Sequence, residues 1–327
     1  MSAGLAISLV RDGRRTRPML EFTPGPDPAR LLAGRDPASA AALVPLVFNL
    51  CAVAQGQAAR AALGLEPAGD EAGLRLEHLR DHALCFGVAW PAALGQEPDN
   101  ALLSRLVAFG AGADASVLRC HLVGGPVDVG GLTLPEFDRL LRDGATPLTR
   151  LMAAIRQRLH PDWGRAGLPR PTVAEVAARL DGASIPPRET TALDHVGEAP
   201  LLRALEAVEG RGLFTRMVAR LLDCLRMLDP RARLAGAARP ATGIGVAAAV
   251  RGILGHRATV ADGRVTGYRL LSPTDWNLMS GGILSRVLAA LPADGDLPFL
   301  ARIAVSCVNP CVPTTIEIDG RRFAAHA

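Results

Sequence analysis

SCVNPCVPTTIEI, residues 306–318, sets two cysteines, Cys307 and Cys311, on either side of an Asn-Pro step close to the end of a 327-residue chain. The pair alone suits a metal clip, a disulfide or two small buried apolar residues. Four-residue spacing across a proline lacks the C-x-x-C knuckle of zinc sites, and no second clear pair completes a tetrahedron. The flanks carry the architectural signal: FLARIAVSCV before the pair and TTIEIDGRRF after it both read as extended chain. At the opposite end, LAISLVRDGRRTRPMLEF alternates apolar and polar residues around Asp12-Gly13 and reads as a β-hairpin over 4–22. Small β elements near both termini with a helical stretch between them predict an α-rich α+β fold.

The stretch between is helical in pattern. It begins over 37–64, with Gly64 as a C-terminal cap, and continues at about 72–90, 100–110, 134–142, 146–159, 172–180, 199–209, 213–228 and 281–291. Thr133 with Glu136 and Thr172 with Glu175 have capping-box spacing. Pro- and Gly-rich segments at 161–171 and 184–190 mark exposed connections without dividing the chain. ATVADGRVTGYRLLSP reads as a second hairpin turning at Asp262-Gly263, followed by PTDWN. No internal repeat is present. The reading is one domain over 1–327: an N-terminal hairpin at 4–22, a helical centre at 37–230, and a C-terminal hairpin and cysteine segment at 240–327.

Composition narrows the function. The chain is 49% hydrophobic but only 4% aromatic, and all 36 basic residues are arginine. Exclusive arginine beside abundant Ala, Gly and Pro looks like GC-rich coding, so a net charge of +4 gives little reason to expect nucleic acid. Arginines alternate with acids as on solvated helix faces. The longest apolar run, ALVPLVFNLCAVAQGQAARAALG, is interrupted by Asn49, Gln55, Gln57 and Arg60, so a buried helix and no membrane span is expected. Arg14-Arg15 is followed by EFTPGPDP rather than an apolar stretch, which argues against a signal peptide and for a cytoplasmic protein. Six cysteines (51, 85, 120, 224, 307, 311) are too sparse for a disulfide scaffold and should remain thiols.

Several motifs carry candidate chemistry. Cys51, on a helix opening near Pro45, is by itself a small buried apolar residue. His78, His82 and Cys85 in EHLRDHALC fall on one helix face, as transition-metal ligands or as a partly solvated amphipathic stripe. TGIGVAAAVRG has Gly243 and Gly245 but lacks the third glycine and the acid of a dinucleotide fingerprint. A phosphate-binding loop of the Walker type is excluded without lysine, and no G-x-S-x-G motif occurs.

Three segments together resemble the large subunit of nickel–iron hydrogenases. AGRDPASAAALVPLVFNLCAVAQGQAARAAL is similar to a G-R-D-P stretch running into R-x-C-G-x-C-x-x-x-H, with Cys51 on the second cysteine, Phe48 on the first and Gln55 on the histidine. GVAAAVRGILGHRATVADGRVTGYRLLSPTDWN resembles E-A-P-R-G-x-L-x-H followed by P-T-x-W-N. Its Arg251 matches the arginine that overhangs the iron's diatomic ligands, while Val250 departs from the preceding proline. VNPCVPTTIE resembles D-P-C-x-x-C-x-x-H, with Asn309-Pro310-Cys311 on D-P-C, Thr314 on the second cysteine and Glu317 on the histidine. The resemblance covers roughly the first 65 and last 90 residues.

The departures decide what the resemblance implies. The catalytic centre needs four thiolates, and Phe48 and Thr314 cannot replace two of them, so no nickel is expected. The family's proton-passing glutamate in R-I-E-G-H is also missing where SAGL stands. Relatives with such degenerate motifs are the HupK/HoxV-type hydrogenase assembly proteins. Resemblance to them implies a reduced large-subunit-like fold and a non-catalytic scaffold. It would receive an Fe(CN)2(CO) unit transiently on Cys51 and Cys311, from the iron-loading maturation proteins, and pass it to the apo large subunit. Arg251 would support the diatomic ligands. Thr274, Asp275 and Asn277 would shape the adjacent loop, or simply bond within their own turn. Cys307, which has no counterpart, is a third thiol for cargo transfer, a reversible partner of Cys311 or a buried strand residue. A protein-only chaperone without cargo, and a divergent redox subunit like the quinone-site relative in respiratory complex I, are the alternative readings.

Overall fold

A computed structural model describes residues 3–48, 50–66, 69–232, 234 and 236–324. Asn49 and Ser2 of the SAGL stretch lie outside the described residues. The chain's two ends meet in one sheet. Strands β1 (Gly4–Asp12) and β2 (Arg15–Thr23) form the N-terminal hairpin, its turn at Gly13–Arg14 because Asp12 pairs with Arg15, one residue later than the sequence suggests. Strand β7 (Thr314–Ile318) lies parallel to β1, with Leu5, Ile7 and Leu9 opposite Thr314, Ile316 and Ile318, and β8 (Arg321–Ala324) closes the order β2-β1-β7-β8. Those alternate residues face the core: Ile7 and Ile316 are buried with the main helices.

The second sheet is an antiparallel meander of β3 (Ala238–Ala241), β4 (Ile244–Ala249), β5 (Gly252–Ala261) and β6 (Arg264–Leu271). Asp262 and Gly263 both have positive φ at the β5–β6 turn, the conformation that a two-residue Asp-Gly hairpin demands. Gly245 on β4 lies against the helix Ala52–Ala62, where a Cβ would come within 2.0 Å of the Ala58 carbonyl oxygen. Small residues on both sides, alanines on the helix and this glycine on the strand, permit that approach.

Two sequence expectations are corrected here. The helical pattern over 37–64 is two helices, Pro37–Val47 and Ala52–Ala62. Asp36 caps the first through Ser39 N, with Pro37 at its first position, so the G-R-D-P stretch is a helix start. Gly34 N to Val265 O (2.8 Å) and Val265 N to Arg35 O (2.8 Å) tie it to β6. FLARIAVSCV is not extended but lies within the helix Leu297–Val308, started by Asp296, which accepts from Phe299 N, and by Pro298 in the first turn. The helix is apolar almost all round because it is buried almost all round, and uniform apolarity erases the periodicity that tells helix from strand.

The core is organised about the helix Leu213–Met227, in which every residue except Arg226 is buried. It nevertheless carries Arg216, Arg220 and Asp223 on its inward turns, and each has a charged partner within the protein. The Thr133 and Thr172 capping boxes form as expected, joined by Thr146 with Thr149 and Ser272 with Asp275.

Candidate functional site

The break between the first two long helices makes Cys51 the N-cap of Ala52–Ala62, not a mid-helix residue. Its thiol does not cap the helix. Glu77, from the helix Glu71–Leu84, takes that role by accepting from Val53 N at 2.7 Å. Burial pushes the Glu77 carboxyl up to about 7 against the pull of those backbone donors and of Arg251. Cys51 is 7% exposed, and burial pushes its thiol up to about 12. The Cys311 thiol opposes ionisation as well, and Arg251 favours it. Such a thiol keeps its proton at neutral pH until a metal displaces it.

A donor relay fixes the Cys51 sulfur. The Tyr268 hydroxyl donates to His256 Nδ1, His256 Nε2 donates to Gln55 Oε1, and Gln55 Nε2 donates to Cys51 Sγ at 3.6 Å. Tyr268 and His256 come from β6 and β5, Gln55 from one turn beyond Cys51. Each link points a hydrogen towards the sulfur, the polarity that favours a thiolate. Gln55, which departs from the family histidine in the sequence, is therefore the element joining Cys51 to the second sheet.

Cys311 follows the left-handed Asn309 (φ 56°) that ends the Leu297–Val308 helix. Asn309 N closes on Val305 O at 2.7 Å while its side-chain amide donates to Asp81 Oδ2 at 2.7 Å. Thr274, in the short helix Pro273–Asn277, accepts from Cys311 N at 3.0 Å, and its hydroxyl lies 2.9 Å from Cys311 Sγ. A hydroxyl whose oxygen already accepts is free to donate to the sulfur.

Asp81 is the pivot of this corner. Arg251 binds its Oδ1, while Arg220 Nη2 (2.9 Å) and Asn309 bind Oδ2. Burial would raise its carboxyl, but Arg251 and Arg220 outweigh that and hold it well below the ordinary carboxylate range. Arg251 engages Asp81 through one nitrogen; its Nε and Nη1 are buried with no hydrogen-bond partner among the described residues. A pocket of about 280 Å³ is lined by Arg251, Asp81, Cys311, Asn309, Ser306 and Cys85, among others. Gly252 lets the chain pass here: at φ +115° its missing Cβ would lie 1.8 Å from Thr190 Oγ1, which accepts from Ile253 N at 2.7 Å.

The sequence-derived candidates thus divide. Cys311 and Arg251 line the pocket and Thr274 bonds Cys311, while Cys51 lies outside the lining but near enough to feel the charges of both Cys311 and Arg251. Asp275 stands apart: its carboxylate accepts from Ser272 N (2.7 Å) and Ser272 Oγ (2.7 Å), completing a capping box. Asn277 ties down the neighbouring chain, accepting from Thr190 N and donating to Thr190 O. Cys307 is corrected too. It is a buried helical residue, not a strand residue, and its thiol contacts Leu213 O at 3.5 Å rather than lining the pocket. All six cysteines are free thiols. The EHLRDHALC stripe is buried rather than partly solvated and splits, with His78 and His82 facing Asp223 and Cys85 lining the Cys311 pocket. Asp81, Arg220 and Glu77 escaped the sequence reading. Glu77 and Asp81 occupy the same EHLRDHALC segment at helical spacing, which is the one local signal the sequence holds for them.

No protein-family model matches the chain. It is 35% identical over 323 residues to the hydrogenase expression/formation protein HupK of Rhodobacter capsulatus, spanning 97% of this chain and 98% of that one. It is 31% identical over 335 residues to the hydrogenase expression/formation protein HupV of Azotobacter chroococcum, spanning 94% of each. Among solved structures, the Ni-Fe-Se hydrogenase of D. vulgaris Hildenborough aligns over 92% of this chain and 94% of that chain, with a TM-score of 0.63 and 16% identity. That likeness concerns the fold, which is of the nickel–iron hydrogenase large-subunit type.

Proposed function

The chain belongs to the HupK-type family of hydrogenase expression/formation proteins, and from that premise we propose that it is a non-catalytic, cytoplasmic scaffold for nickel–iron hydrogenase assembly. It receives an Fe(CN)2(CO) unit on Cys51 and Cys311 from iron-loading maturation proteins and passes it to the apo large subunit. No helix among the described residues is long and apolar enough to cross a membrane.

The observation that carries this reading is the Arg251 guanidinium. Two of its donors are buried without partners beside the Cys311 pocket. An unpartnered buried donor is costly, so a pocket that keeps two of them suits a ligand that accepts hydrogen bonds. Cyanide nitrogens are such acceptors, and thiolate sulfurs suit a soft low-spin iron. Asp81, shared with Arg220, supplies a counter-charge that makes the buried guanidinium tolerable. Two thiolates with no third or fourth at Phe48 and Thr314 hold cargo that must leave again. The Thr274 hydroxyl and the Gln55 amide support the thiolate form of each sulfur.

Infrared spectra of the protein purified anaerobically from a host with the whole maturation machinery test the proposal. Two cyanide bands and one carbon monoxide band, lost in Cys51→Ala and in Cys311→Ala, are expected. Spectra without these bands, from protein whose two alanine variants still support full maturation, would overturn it. That result would favour the chaperone reading, for which the depth of Cys51 and the high cost of ionising its thiol are the supporting observations.

A further inference from the structure

His78 and His82 do not face the cysteine pocket. They project from the Glu71–Leu84 helix onto Asp223 of the Leu213–Met227 helix, where His195, from the short helix Leu193–Val196, joins them. His78 Nδ1, His82 Nε2 and His195 Nδ1 lie 3.1, 2.8 and 3.2 Å from a single atom, Asp223 Oδ2. All four side chains are at least nine-tenths buried. Asp223 Oδ1 has no hydrogen bond among the described residues, and Arg226 Nη1 stands 3.5 Å from it.

We propose that His78, His82 and Asp223, with His195 beside the same carboxylate oxygen, form a second metal site, which takes one late first-row divalent ion. The ligand atoms of His78, His82 and Asp223 all lie within 4.8 Å of one another, close enough to converge on one ion with bonds of roughly 2.0–2.1 Å. Three imidazoles crowded on one carboxylate oxygen, with the other oxygen left without a hydrogen bond, is an uneven use of acceptors for a hydrogen-bond network. Imidazole-rich, thiol-free donors favour zinc and its neighbours over magnesium or calcium. Arg226 steadies the carboxylate so that Oδ2 faces the rings. Among the described residues the outer nitrogens of His78 (Nε2) and His82 (Nδ1) are buried without partners, so no second layer of hydrogen bonds from them locks those rings, and the ion is exchangeable. His195 lines cavities of about 740 and 490 Å³, and His78 lines the smaller, which gives the ion a way in.

The proposal is independent of the iron cargo, and its test separates the two. The full chain, freed of metal by a chelator, is titrated with Co²⁺ and then with Zn²⁺ as competitor. One equivalent of Co²⁺ with an intense tetrahedral visible spectrum and no sulfur-to-cobalt charge-transfer band is expected. Cys51→Ala/Cys311→Ala should bind it equally, and His82→Gln and Asp223→Asn should lose about tenfold or more in affinity. If those variants fold poorly, X-ray absorption of the zinc-loaded wild type decides: a nitrogen and oxygen shell with imidazole scattering is expected. Failure to bind stoichiometric Co²⁺, or a spectrum whose sulfur band disappears with the cysteines, would overturn the site.

Discussion

Replacing Asp81 with asparagine removes one negative charge and almost no volume, and the surroundings set the cost. Arg220 and Arg251 have side chains only 3% and 8% exposed, and both share this carboxylate as counter-charge. Asparagine can still accept through its one carbonyl oxygen, but two nearly buried guanidinium groups then share no counter-charge. Breaking a buried pair in this way costs roughly 3–5 kcal/mol, a large part of the roughly 5–15 kcal/mol that holds an ordinary domain folded. Urea unfolding followed by circular dichroism measures it, as a fall in midpoint at unchanged slope. The double substitution Asp81→Asn/Arg251→Gln should recover roughly 1–3 kcal/mol of that loss, because it withdraws one of the stranded cations. An Asp81→Asn protein within about 0.5 kcal/mol of wild type would refute the reasoning. It would mean that water reaches both arginines and that Arg251 is not held as a poised donor.

Two further substitutions probe the same corner. Gly252→Ala should destabilise the protein by more than about 3 kcal/mol, since the residue adopts φ +115° and its new methyl would overlap Thr190; a melting temperature equal to wild type would show that the turn can shift. His256 is fully buried, and burial pushes its imidazole down to about 3, against 6.5 for an ordinary histidine. The unfolded chain therefore takes up a proton that the folded one refuses. The stability due to this group is whole above pH 6.5 and is lost as pH falls towards 3, by roughly 3–5 kcal/mol in all. His256→Gln should flatten that acid limb of the stability curve, and parallel curves for the two proteins would show that His256 is not the group responsible.

Whatever is written in local chemistry can be read directly from the chain. The Asp262-Gly263 turn, the Thr133 and Thr172 capping boxes and the alternation of 4–22 each depend on a few neighbouring residues, and each formed. That Cys51, Cys311 and Arg251 match the motif positions of the resemblance while Phe48 and Thr314 do not was equally legible, because it is a matter of residue type. What needed tertiary structure was every place where burial overrides local preference. The Leu297–Val308 helix hid behind uniform apolarity, and Cys51 moved to a helix start because the chain breaks between two helices that the sequence reads as one. The choice between Asp81 and Asp275 could not be made locally. Asp275 is three residues from its partner Ser272, whereas Asp81 meets Arg220, Arg251 and Asn309 from across the chain. A charge inside a protein is stable only with partners brought from elsewhere, and no short stretch of sequence names those partners.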